Sequence, residues 1–357
     1  MNQRLQKVLE QMKLRNLPQL IISDHYSIRY LTGVNNDPGE RLYALYINES
    51  GKTVLFASRL FRVSEGDFEA VFYEDTDDMA AIIAGIIDNQ GIIGIDKDWP
   101  ARFLLPLMAK CPELKPVIGS GCIDYVRSRK DDQESELMRN ASRINDSVIE
   151  KARDYIKEGI TEKQLARSID EQYLKLGAEG NSFTTIVSFG ANAADPHHEP
   201  DDTVLKNGEC VLIDMGCIKD GYCSDMTRTF FLGSVTDRER EIYELVRKAN
   251  EKAESIIRPG VRLCDIDDSA RSIISKAGYG KYFTHRLGHF IGMSVHEKPD
   301  VSSAYEDPVE PGMIFSIEPG IYLPGDFGVR IEDLVMVTED GCEVLNHVDK
   351  RLQVIGK

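Results

Sequence analysis

The sequence predicts an α/β domain followed by an α+β domain that is pseudo-duplicated, an antiparallel sheet with flanking helices. Three observations carry this expectation. The chain has 357 residues, enough for two domains. Up to about residue 126, helical stretches alternate with short β-rich runs. Beyond that point, two helices followed by a strand hairpin occur twice over. A composition of 42% hydrophobic and 29% charged residues is that of a globular chain with a sizeable core.

The opening segment MNQRLQKVLEQMKLR sets Leu5, Val8, Leu9 and Met12 on one helical face. It has no continuous apolar core and no small-residue cleavage site, so it reads as an amphipathic helix and not as a secretory leader. Strands are expected at 19–23, 43–47, 53–57, 70–73, 91–95 and 116–118, with helices near 77–89 and 100–110. Gly119-Ser120-Gly121 starts like a dinucleotide loop but lacks the third Gly, and reads as a turn. The polar run 127–136 (RSRKDDQESE) then breaks the rhythm. It divides the chain into domains at 1–126 and 127–357.

In the second domain Leu137, Ala141, Ile144, Val148, Ala152 and Tyr155 recur at helical spacing, with Gly159 as terminator. Thr161 with Gln164, and later Thr236 with Glu239, form capping boxes that open further helices. The second of these carries Ile242, Leu245, Val246, Ala249 and Ile256, and another helix is expected at 265–276. Strands are expected at 184–188, 210–216 and 223–232, then at 313–317 and 329–337.

Charge narrows the function. With 43 basic and 59 acidic residues the chain carries a net −16. That argues against non-specific nucleic-acid or anionic-membrane binding, which need a basic field. The longest apolar stretch, 80–87, falls far short of the roughly 18 residues of a membrane span. Seven Cys without a C-x-x-C pair fit reduced thiols and a cytoplasmic protein.

The informative acids lie in two hairpins. Asp214 (I-D-M-G) and Asp225 (S-D-M-T-R-T-F) are nearly equidistant from the turn Lys219-Asp220-Gly221. They should be cross-strand neighbours within a residue or two. Glu318 (S-I-E-P-G) and Glu332 (R-I-E-D) stand symmetrically about Pro324-Gly325-Asp326. Four carboxylates in apolar strands are costly unless cations neutralise them, and two divalent ions would do so. A fifth donor comes from segment 285–297, which holds His285, His289 and His296. Gly288 and Gly292 allow close packing around His289.

The bland readings stand beside this one. A single Asp beside a turn is usually a turn residue, as Asp220 is expected to be. His198-Glu199 and His296-Glu297 lack the second His of an H-E-x-x-H motif. Arg228 has the wrong parity relative to Asp225 and should point away. His25, His198 and His347 have no supporting pattern.

Taken together, Asp214, Asp225, His289, Glu318 and Glu332 resemble the ligand set of the M24 metallopeptidases. That family has the pita-bread fold and includes Xaa-Pro dipeptidases (prolidases), aminopeptidases P and methionine aminopeptidases. The likeness is close from about residue 134 to the end. It extends more loosely to the first half, as a creatinase/prolidase-type N-terminal domain in which I-G-I-D-K-D-W fits. Methionine aminopeptidases generally lack such a domain, and creatinase has the fold without the ligands.

The resemblance implies that Asp225 and Glu332 bridge two divalent metals. Asp214 would complete one site, and His289 with Glu318 the other. The mostly oxygen donor set places Mn²⁺ first, with Co²⁺ and Zn²⁺ as alternatives. By matching position, His197 and His296 would stabilise the oxyanion, Glu318 would move protons, and His285 would line the substrate site. Arg330 would orient Glu332 or meet a substrate carboxylate, or else pair with one of the site acids. The implied activity is hydrolysis of the X-Pro bond in dipeptides by a cytoplasmic homodimer acting on proline-containing peptides. The alternatives are an aminopeptidase P acting on longer peptides, or a non-catalytic peptide-binding protein.

Overall fold

The computed structural model describes residues 2–356. The chain forms two compact units, Met1–Arg127 and Ser128–Lys357.

The first unit is built in the order α1 (Gln3–Leu14), β1 (Gln19–Ile22), α2 (His25–Thr32), β2 (Ala44–Asn48), β3 (Thr53–Ser58), β4 (Glu69–Tyr73), α3 (Met79–Ala84), β5 (Gly91–Ile95), α4 (Ala101–Lys110), β6 (Leu114–Ile118) and α5 (Gly121–Arg127). Its single mixed sheet runs β4-β3-β2-β1-β5-β6. β1–β2–β3 are antiparallel and the outer pairings parallel. In α1 the residues Leu5, Val8 and Met12 are buried, giving the apolar face expected from their spacing. Two helices exceed the sequence expectation. Asp24 caps α2 by accepting the N–H groups of Tyr26 and Ser27, and Gly33 closes it at φ 75°. Downstream, Gly121 opens α5 instead of a simple turn.

The second unit begins with α6 (Asp132–Ala152) and α7 (Glu162–Lys175). There follow β7 (Gly180–Asn181), β8 (Ile186–Phe189), β9 (Cys210–Met215), β10 (Cys217–Lys219), β11 (Tyr222–Cys223) and β12 (Met226–Leu232). The second half repeats the order with α8 (Asp237–Ile256), α9 (Leu263–Lys276), β13 (Gly288–Phe290), β14 (Glu297–Val301), β15 (Ile314–Ile317), β16 (Gly320–Leu323), β17 (Phe327–Arg330) and β18 (Asp333–Val337). β19 (Cys342–Val344) and β20 (Val354–Ile355) close it.

Asp131, Thr161 and Thr236 each close a capping box at the start of α6, α7 and α8. Helices α6 and α7 share one core with β8, β9 and β12, through residues such as Val148, Ile169, Val187 and Ile213. α8 and α9 share another with β13, β15 and β18, through Ile242, Ile266, Phe290, Phe315 and Val335. The main sheets run β20-β12-β9-β8 and β14-β13-β15-β18-β19.

The expected hairpins are present, but each is interrupted. Asp220 and Gly221 both have positive φ (50° and 78°) in the two-residue turn joining β10 to β11. This is the I′-type pattern that suits a tight hairpin. The ladder between β9 and β12 pairs Asp214 with Thr227 and Met215 with Met226. Beyond it the chain leaves that sheet, and β10 pairs with β7 and β11 instead. Gly216 sits at the departure, where a Cβ would stand 2.1 Å from the Ser224 carbonyl oxygen. The second hairpin behaves alike. β15 and β18 pair up to Ile317–Asp333, and β16 and β17 form a separate two-stranded sheet. The runs expected as continuous strands at 223–232 and 329–337 are therefore each broken.

Candidate metal centre

The breaks coincide with the acids. Asp225 lies between β11 and β12, Glu318 just after β15, and Glu332 between β17 and β18. Asp214 is the penultimate residue of β9. At a break the backbone turns out of the ladder, so the side chain can aim into the space between sheets. Other partners then hold the backbone: Glu318 N–H donates to Leu287 O (2.8 Å) and Glu332 N–H to Thr227 O (3.1 Å). These acids, with His289, His197, His285, His296 and Arg330, line one cavity of about 660 Å³. All the residues singled out from the sequence thus meet at one place.

Asp225, His289 and Glu332 are buried, with ligand-type atoms mutually within 4.8 Å. His289 Nε2 lies 3.5 Å from both Asp225 Oδ2 and Glu318 Oε1. Its Nδ1 faces the Phe290 carbonyl oxygen at 3.2 Å. A carbonyl oxygen only accepts, so Nδ1 carries the proton and Nε2 turns a lone pair toward the acids. The His289 N–H is held by Ser316 Oγ (3.0 Å), whose hydroxyl also reaches Glu318 Oε1 at 3.1 Å.

Thr227 Oγ1 donates to Glu332 Oε2 at 2.7 Å. Arg330 is buried and donates from Nη2 to Asp214 Oδ2 (2.7 Å), from Nη1 to Tyr322 Oη (3.0 Å), and from Nε to Thr227 Oγ1 (3.0 Å). Tyr322 Oη in turn lies 2.8 Å from His285 Nε2, while His285 Nδ1 faces the Arg286 carbonyl oxygen at 2.7 Å. With Nδ1 protonated, the phenol donates to His285. A directed chain results, running from Arg330 through Tyr322 to His285.

The electrostatics show what is missing. Burial, and after it the neighbouring acid charges, push the Asp225 and Glu332 carboxyls well above the usual range. Burial raises Glu318 to about 7, against the pull of His289 and Arg330. Burial also lowers His289, holds His296 near 4 and, with the Arg330 charge, His285 near 3. Asp214 Oδ1 and Asp225 Oδ1 are buried without a hydrogen-bond partner among the described residues. Orphaned carboxylate oxygens are costly, and the carboxylates facing the His289 lone pair are repelled by it. Divalent cations among them would satisfy every one of these groups, so the residues fit a dinuclear metal centre.

A second group with ligand-type atoms within 4.8 Å is Glu162, His198 and Asp201. From sequence, His198 has no supporting pattern, and Glu162, Asp201, Tyr322 and Arg286 were missed. Arg286 lines the cavity with its Nη1 3.4 Å from Asp300 Oδ1. Arg228 does not line the cavity. It is buried on the other side of the strands, where Nη2 donates to Asp333 Oδ1 at 2.7 Å and Nη1 to the Glu332 carbonyl oxygen at 2.7 Å.

Comparison with known proteins agrees with this geometry. Residues 136–339 match the model of metallopeptidase family M24, and residues 4–129 that of the creatinase/prolidase N-terminal domain. The chain belongs to metallopeptidase family M24. It is a metal-dependent peptide hydrolase with a creatinase-type α/β domain before a pita-bread catalytic domain. A Staphylococcus saprophyticus protein described as an uncharacterized peptidase is 39% identical over 97% of this chain and 100% of its own length. A dipeptidase from Pyrococcus horikoshii is similar in structure, with a TM-score of 0.91 and 36% identity, covering 98% of this chain and 99% of that one. A recombinant prolidase from Thermococcus sibiricus gives a TM-score of 0.92 at 32% identity, covering 99% of each.

Proposed function

We propose that the chain is an Xaa-Pro dipeptidase, hydrolysing the X-Pro bond of dipeptides with a dinuclear metal centre. The observation that carries the reading is the convergence of Asp214, Asp225, Glu318 and Glu332 around the free lone pair of His289 in one cavity. Asp225 and Glu332 would serve both ions, Asp214 one of them, and His289 with Glu318 the other. Mn²⁺ is the first candidate, ahead of Co²⁺ and Zn²⁺. When bound, such cations polarise the scissile carbonyl and lower the pKa of a water toward neutrality.

The chain's own groups do the rest. Glu318 accepts the proton of the attacking water and delivers it to the leaving nitrogen. In an X-Pro bond that nitrogen carries no hydrogen, so it departs as an amine only after protonation. His197 and His296 donate N–H bonds to the oxyanion. His296, with its pKa near 4, does so as the neutral ring. His285 and Arg330 form the wall on which the substrate rests, and Arg330 also holds Asp214 in place.

The dipeptide form of the reading draws support from Arg286, a cation on the cavity wall suited to a free C-terminal carboxylate. The names of the Pyrococcus and Thermococcus relatives point the same way. A cytoplasmic homodimer is the setting carried over from the family. The test compares turnover of an X-Pro dipeptide with that of an X-Pro-Y tripeptide by protein reconstituted with Mn²⁺, Co²⁺ or Zn²⁺. Preferential cleavage of the tripeptide would favour an aminopeptidase P. Failure to bind any of the three metals would favour a peptide-binding protein.

A further inference from the structure

We propose that Glu162, which is buried, is the positioning residue for His197. The inference rests on the peptidase reading above, in which His197 serves the oxyanion. His197 is exposed on the cavity wall, and its ring makes no hydrogen bond among the described residues. With no hydrogen bond of its own to hold it, the ring's position follows the backbone of 195–201. That backbone is pinned on both sides of it. On one side the Pro196 carbonyl oxygen accepts from Arg330 Nη1 at 3.4 Å. On the other, His198 Nε2 lies 2.7 Å from Glu162 Oε2, and the Asp201 N–H donates to the same oxygen at 3.1 Å.

Glu162 is built for this task. Its side chain has no solvent exposure. It is the first residue of α7, where the helix dipole favours a negative charge. Its second oxygen, Oε1, accepts the Phe189 N–H (2.7 Å) and Asn192 Nδ2 (3.0 Å). One carboxylate thus ties the end of β8, the turn after it and the His197 loop to a single helix terminus. A buried charge is tolerated where donors saturate it.

The same saturation argues against a cation at this cluster. Each Glu162 oxygen already takes two donors, and His198 Nε2 faces a carboxylate and so carries a proton. The cluster is a clamp. His197 lines the same cavity as His285 and His296. A small rotation of the loop would therefore move it relative to the reacting group, where a displacement of about 1 Å can cost about 100-fold.

A double-mutant cycle on the full-length, metal-loaded protein tests this, with wild type, Glu162→Gln, His197→Ala and the pair compared on an X-Pro dipeptide. Metal content and thermal unfolding are recorded alongside. Glu162→Gln is expected to lower kcat about 10- to 100-fold, with metal stoichiometry kept and KM little changed. In the His197→Ala background the same substitution should cost nothing further. Losses that multiply, or no loss in Glu162→Gln, would overturn the proposal.

If Glu162→Gln does not fold, His198→Gln, which keeps a donor, is compared with His198→Leu, which has none. Rescue by Gln supports the clamp and equal losses refute it. The ring resonances of ¹³C-labelled histidine supply a readout independent of turnover. A shifted His197 signal in Glu162→Gln (or, should that variant not fold, in His198→Leu) is expected, and an unmoved one refutes the proposal. Should wild type prove inactive on every X-Pro peptide, the peptidase reading fails, and the His197 resonance still decides the positioning.

Discussion

Replacing Arg228 with Met should be among the most damaging single changes in the catalytic unit, although the residue never meets the cavity. Its side chain is 1% exposed and its ion-pair partner Asp333 is fully buried. The guanidinium donates four hydrogen bonds: to Asp333 Oδ1, and to the carbonyl oxygens of Thr227, Glu332 and Val348. Met has similar bulk but donates nothing, so Asp333 keeps only Lys350. The Lys350 ammonium lies 2.8 Å from Asp333 Oδ2, in ionic contact without hydrogen-bond alignment. Stranding one partner of a buried pair costs about 3–5 kcal/mol. With an m-value of about 2 kcal/mol/M in urea, the unfolding midpoint should fall by about 1.5–2.5 M. Adding Asp333→Asn removes the stranded charge and should return part of the loss. Urea titration followed by circular dichroism measures both. A midpoint shift below about 0.5 M for Arg228→Met would refute the argument that this pair carries stability.

Other expectations concern the site, its scaffold and pH. Asp225→Asn should bind fewer than two Mn²⁺ per chain by elemental analysis and lose turnover at least about 100-fold; both metals with near-normal activity would remove Asp225 from the ligand set. Gly288→Ala should unfold earlier by about 1–3 kcal/mol and lose activity, because the added Cβ would stand 1.8 Å from the Ser316 carbonyl oxygen, beside His289. In the N-terminal unit burial raises the Asp24 pKa, but the Arg127 charge and the Ser27 hydrogen bonds outweigh it and leave the carboxyl below its ordinary value. A depressed carboxyl contributes stability above its unfolded pKa and loses it as pH falls through the folded value. Thermal unfolding of wild type should therefore weaken below about pH 4, whereas Asp24→Asn should lack that component.

What the sequence made legible was pattern with a short reach. The capping boxes at Thr161 and Thr236 and the Asp220-Gly221 turn are local chemistry, and each forms where its residues demand it. The helix α2 carried a comparable signal in Asp24 and Gly33 that went unread, because the stretch between them is short and holds aromatics. The strand breaks could not be read at all. Residues 223–232 and 329–337 are β-rich on both sides of Asp225 and Glu332, so each reads as one strand, although Asp and Glu are themselves depleted in strands. Parity correctly turned Arg228 from the cavity, yet pattern could not show that its charge is buried against Asp333. Tyr322 escaped notice for the same reason: its links to His285 and Arg330 exist only once β16 and β17 separate from the larger sheet.

The breaks in the strands also make the centre a thermodynamic staple. Its proposed donors lie in both repeats, Asp214 and Asp225 in the first and His289, Glu318 and Glu332 in the second. Half of the unit alone offers at most part of the set, so a pair of cations sharing these donors would bind the assembled state in preference to any partly opened one. Each tenfold rise in free metal above the dissociation constant then adds about 1.4 kcal/mol per ion to the stability of residues 128–357. Metal supply would thereby set how long the catalytic unit survives proteolysis, as well as how fast it turns over.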